Sequence, residues 1–99
     1  MPKVKRDGFF KIQNSVYDSG VFEMLSRPEI TLYLLLVRRS FNNLGFIYTD
    51  QIVKYTGIDK NHMGRHFKNL VKFRLVTITA QSKLKGYKKY RINIYKTLT

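Results

Sequence analysis

Residues 49–73 constrain this chain more than any other stretch, because they read as two helices separated by a short glycine turn. Thr49 is placed to cap the first helix, and Asp59 to cap the second by accepting from the free amides of its opening turn. Gly57 falls where the first helix must stop, since glycine enters the left-handed backbone region without steric cost. In the second helix Met63, Phe67, Leu70 and Val71 recur at i, i+4, i+7 and i+8 and make one apolar stripe. The opposite side carries Lys60, Asn61, His62, Arg65, Lys68, Asn69 and Lys72. This pattern is a helix-turn-helix whose second helix offers a polar, cationic surface to something anionic.

The charge distribution points the same way. The formal net charge is +13, and it is concentrated late in the chain. Residues 1–59 hold eight Lys or Arg against six acids, whereas residues 60–99 hold eleven Lys or Arg and no acid. A solvated charged face ordinarily mixes both signs. Forty residues without Asp or Glu favour a nucleic-acid partner, with an anionic membrane surface as the weaker alternative. No cysteine is present, which excludes disulfides, thiol catalysis and cysteine-bound zinc. The longest apolar run, residues 30–37, is far shorter than the ~20 residues of a membrane-spanning helix. The basic start at Met1 is not followed by the apolar stretch of a signal peptide, so the expected compartment is the cytoplasm.

Taken in order, residues 1–8 read as a flexible basic arm and residues 9–99 as one domain. Residues 9–12 suit a short strand, and residues 14–25 suit short helical pieces interrupted at Gly20. Ser26 and Glu29 stand at capping-box spacing with Pro28 in the first turn, so a helix starts there. It runs through Ile30, Tyr33, Leu34, Val37 and Phe41 on one face, while Leu32, Leu35 and Leu36 make it apolar nearly all round. Both faces then need cover, either from the 9–25 segment or from a homodimer partner. Arg38 and Arg39 complement the dipole at its end. After a turn at residues 42–45, Phe46, Ile47 and Tyr48 make a short strand into Thr49. Residues 75–80 alternate as a strand, 81–86 form a loop, and 87–95 form a second strand with Tyr90, Ile92 and Ile94 on one side and Lys89, Arg91 and Asn93 on the other.

This order predicts an α+β winged helix-turn-helix, with three main helices and a C-terminal β-hairpin wing. Residues 9–15, 32–38, 49–73 and 75–78 together resemble the N-terminal winged-helix domain of plasmid replication initiators and phage replisome organisers. The resemblance covers residues 9 to 80 and implies DNA binding in replication or its control on a mobile element, with replication proteins as possible partners. By that resemblance Lys60, Asn61, His62, Arg65, Lys68 and Asn69 would touch DNA. Arg74 departs from the pattern, standing where many winged helices place a glycine between recognition helix and wing.

The chemistry of these positions is that of binding. Lys and Arg suffice to neutralise phosphates and release counterions. Asn61, Asn69, His62 and Arg65 carry donor and acceptor patterns suited to base edges in a major groove. Lys72, Arg74 and Arg91 add charge, and Lys83, Lys85, Lys88 and Lys89 of the wing suit backbone or minor-groove contact. Tyr55, Phe73, Tyr87 and Tyr95 sit less clearly on apolar stripes than Tyr33, Phe41, Phe67 and Tyr90. Rings interleaved with lysine are what a single-stranded nucleic-acid surface uses, so single-stranded DNA is a rival ligand. His62 and His66 stand at i and i+4, but no further metal ligand accompanies them and Arg65 would repel a cation. Paired carboxylates, a phosphate-binding glycine loop and a serine triad are all missing from the sequence. The expectation is therefore a non-enzyme without cofactor or metal. A transcriptional repressor of the same fold, and a protein-interaction subunit of a replication complex, are the other rivals.

Overall fold

A computed structural model of the chain describes residues 20–93. A 3-10 turn at Val21–Met24 leads into α1 (Arg27–Arg39), β1 (Leu44–Tyr48), α2 (Thr49–Thr56), α3 (Lys60–Lys72), β2 (Val76–Ser82) and β3 (Tyr87–Ile92). Among the described residues three α-helices pack with one three-stranded antiparallel sheet, in an α+β arrangement. The short strand expected at residues 9–12, the helical pieces expected before Gly20, and the tail from Ile94 onward, with Tyr95, lie outside the described residues, as does the basic arm.

The start of α1 is held by the expected capping box. Ser26 Oγ accepts from Glu29 N at 3.4 Å, and Ser26 N donates to Glu29 Oε1 at 3.0 Å. Leu32, Tyr33, Leu36 and Val37 are buried, and Val21 and Leu25 cover part of the remaining apolar surface. Phe22 meets Tyr33 edge-on at 6.0 Å. Phe41 does not continue the apolar face as expected. The helix ends at Ser40, whose hydroxyl donates to Val37 O, and Phe41 beyond it is 81% exposed.

The last strand takes the middle of the sheet, in the order β1-β3-β2. Tyr90 and Ile92 point inward to the core, while Lys89 and Arg91 are exposed on the other side. Tyr90 lies opposite Gly45 in the β1–β3 ladder, and a Cβ at Gly45 would collide with its ring. That gap lets the phenol cross β1 and donate to Leu36 O at 2.8 Å. Leu36 O belongs to the last turn of α1, whose carbonyls lack helical partners, so the strand supplies one of the missing donors. Burial pushes the Tyr90 hydroxyl up to about 12, against the opposing pull of Arg39. The hairpin is longer than expected: Gln81 and Ser82 belong to β2, and the turn is confined to the residues between Ser82 and Tyr87.

Gly57 ends α2 with φ 74°, and Asp59 Oδ1 accepts from Asn61 N at 2.9 Å at the start of α3, both as expected. Thr49 does something else. The chain caps α2 through Gln51 Oε1, which accepts from Tyr48 N, while Thr49 donates from both its amide (2.8 Å) and hydroxyl (3.3 Å) to Gly86 O. The inward face of α3 is Met63, His66, Phe67 and Leu70; Val71, counted on the stripe, is 42% exposed, and His66 takes its place. The exit of α3 is a Schellman motif. Leu75 N donates to Leu70 O at 3.0 Å and Arg74 N to Val71 O at 2.9 Å, with Arg74 in the left-handed region at φ 64°. Leu70 and Leu75, both fully buried, make the apolar contact that accompanies such a cap.

Candidate nucleic-acid interface

The outward face of α3 is set by what its inward face is bonded to. Glu29, buried in the first turn of α1, places Oε2 3.0 Å from His66 Nδ1 and accepts from Asn69 Nδ2 at 2.7 Å. An ionised carboxylate only accepts, so His66 carries its proton on Nδ1 and donates. Burial alone would raise the Glu29 pKa. The bonds from His66, the Ser26 amide, Asn69 and the Ser26 hydroxyl outweigh it and lower the pKa to about 2. This triangle fixes the rotation of α3 about its own axis.

With that rotation Lys60, Asn61, His62, Arg65, Lys68 and Lys72 are all exposed on one side. Asn69 is not presented with them: it is half-buried, and its amide is directed to Glu29. Asn61, His62 and Arg65 remain as the side chains with donor and acceptor patterns on the open face. His66 is buried with Nδ1 on Glu29, whereas His62 is exposed. Lys60 forms an exposed ion pair with Asp50 at 3.1 Å, which tempers the charge at the α3 N-terminus.

The β2–β3 hairpin stands beside this face. Its turn is tied to the start of α2 by the Thr49–Gly86 bonds and closed internally by Gly86 N to Ser82 O at 2.8 Å and Lys85 N to Ser82 Oγ at 3.1 Å. Between hairpin and α3 runs a groove of about 300 Å³ lined by Thr49, Lys60, Met63, Gly64, Ser82, Lys83 and Tyr87 among others. Lys83 and Lys85 are exposed, and Leu84 at the tip is 95% exposed. Lys88 is half-buried on the groove side. Its Nζ donates to Gln81 Oε1 at 2.6 Å and lies 5.1 Å over the Phe67 ring, and burial, then the nearby charge of Lys83, lowers its pKa.

The predicted residues therefore divide between two surfaces. Lys60, Asn61, His62, Arg65, Lys68, Lys72, Lys83, Lys85 and Lys88 belong to the α3 face and the hairpin beside it. Lys89 and Arg91 do not join them. Strand alternation sends Tyr90 and Ile92 inward, so Lys89 and Arg91 stand on the opposite, outer face of the sheet. Arg74 is exposed at the junction of α3 and β2. Tyr55 is exposed under Arg39 at 5.1 Å and Lys54 at 5.5 Å, and Phe73 is half-buried against the core.

Two exposed rings escaped the sequence reading. Phe46 and Tyr48 share the outer sheet face with Tyr87. The signal was available in the alternation of Leu44, Phe46 and Tyr48 with Gly45 and Ile47, had the strand been started two residues earlier. Among the described residues, no helix is long and apolar enough to cross a membrane. No protein-family model matches this sequence, and no curated protein matches it.

Proposed function

We propose that this chain is a non-catalytic DNA-binding domain of the winged helix-turn-helix type, with α3 as recognition helix and the β2–β3 hairpin as wing. The observation that carries the reading is the exposed cationic row Lys60, Arg65, Lys68 and Lys72 on the open side of α3, beside the anchored Lys83 and Lys85. Phosphates would neutralise a surface that otherwise repels itself, and release of their counterions would supply most of the affinity. Asn61, His62 and Arg65 would read base edges, because they alone on this face combine exposure with donor–acceptor patterning. The resemblance to replication initiators supports a role in replication or its control on a plasmid, phage or other mobile element. The same geometry serves a transcriptional repressor, and footprinting on an origin against a promoter separates the two.

Fluorescence anisotropy with a labelled duplex tests the reading. Six neutralised phosphates would give a log–log salt slope of about −5. A domain that only docks on a replication protein would show no such slope and would leave the duplex unbound.

A further inference from the structure

The outer face of the sheet carries an assembly that duplex binding by α3 does not use. Phe46 on the edge strand and Tyr87 on the central strand stack at 5.0 Å with an interplanar angle of 24°. Tyr48 meets Phe46 edge-on at 5.2 Å and Tyr87 at 6.4 Å. Phe46 and Tyr48 are 42% and 46% exposed, so ring surface is left uncovered even after the rings pack on one another. Cross-strand pairing puts Lys89 beside Phe46 and Arg91 beside Leu44. None of the three strands contains an acid.

We infer that this face binds single-stranded DNA, with bases stacked on Phe46 and Tyr48 and the backbone tracked by Lys89 and Arg91. Every base has a π-face and every nucleotide a phosphate, so rings alternating with cations match a single strand without demanding a sequence. A duplex hides its base faces and would meet only the cations. The other occupants fit the charge poorly. A second copy of the chain would bring Lys89 and Arg91 against a surface of the same sign. Residues 1–19 hold four Lys or Arg against two acids and are cationic too. The choice of DNA over RNA rests on the duplex reading of α3: strand alternation puts the two surfaces on opposite sides of the sheet, so one domain would hold a duplex and a melted strand together.

Binding of the intact protein to a roughly 12-nucleotide oligo(dT), a matching oligo(rU) and a mixed-sequence duplex tests this. The F46L/Y48L variant keeps apolar bulk but loses both rings, and is expected to bind oligo(dT) at least about tenfold more weakly while binding duplex as the wild type does. R65A/K68A is expected to do the reverse, so failure of one surface is read separately from failure of the other. Unchanged oligo(dT) affinity in F46L/Y48L, stronger wild-type binding of oligo(rU), or a wild-type dimer that F46L/Y48L dissociates would each overturn the inference. Should F46L/Y48L not fold, ultraviolet crosslinking of wild-type protein to oligo(dT) decides. Adducts on Phe46 or Tyr48 support the assignment, and adducts confined to α3, the hairpin turn and Tyr87 overturn it.

Discussion

Glu29 and His66, 37 positions apart, face each other across the α1–α3 contact at 3.0 Å, with Asn69 closing on the same carboxylate oxygen. The pair makes the orientation of the cationic helix face depend on one buried charge. Its pKa is about 2 when folded and about 4.5 when not, so the carboxylate's stabilising contribution is complete above pH ~4.5 and lost as pH falls toward 2. The contribution is of order 3 kcal/mol. Urea unfolding should show wild-type stability falling through that window more steeply than that of Glu29→Gln, which starts lower at pH 7. Parallel pH profiles would remove Glu29 from this role.

Arg74 occupies a left-handed backbone position that glycine takes without penalty. Arg74→Gly should therefore stabilise the domain by about 1 kcal/mol, or roughly 4–8 °C in calorimetry. Arg74→Ala removes the same charge without relieving the backbone and should not raise the melting temperature. A similar gain from both would make charge repulsion, not φ, the cause.

Gly45 and Tyr90 should behave as a coupled unit. Gly45→Ala forces the ring aside and should cost about 1–3 kcal/mol by overpacking. Tyr90→Phe leaves Leu36 O without its donor and should cost about 1 kcal/mol. In the double variant the losses should fall short of additivity, since a displaced ring has already lost its bond. Strict additivity in denaturant midpoints would contradict the shared geometry.

Asp50 is the acid paired with the cationic face, at Lys60. The pair is well exposed, so Asp50→Asn should shift stability by less than about 0.5 kcal/mol. Freed from its partner, Lys60 should raise duplex affinity a few-fold, with a steeper salt dependence. No change in affinity would place Lys60 outside the interface.

The parts legible in the sequence were those written in short range. Ser26 with Glu29, Gly57 and Asp59 each act on their own helix ends, and each does what its spacing implied. What escaped depended on partners far along the chain. Asn69 looks like a reader of bases until Glu29, forty residues earlier, captures its amide. Val71 and His66 both border the apolar stripe of α3, and the buried carboxylate decides for the histidine. Thr49 is a good cap residue, but the carbonyl of Gly86 outcompetes the helix for it. The central place of β3 follows from pairing with both neighbours, which alternation along one strand does not encode. Lys89 and Arg91 leave the α3 side because they alternate with the buried Tyr90 and Ile92, and only the packed core shows which side that is.

The most direct test of the central claim compares wild type with the K83E/K85E variant on one duplex between about 50 and 200 mM salt. Wild type should bind with a steep negative log–log slope, and the charge reversal should weaken binding at low salt and flatten the slope by about two. Wild-type protein that leaves the duplex unbound at the lower salt, or binds it with the same slope after reversal, would contradict the claim that this cationic surface meets phosphates.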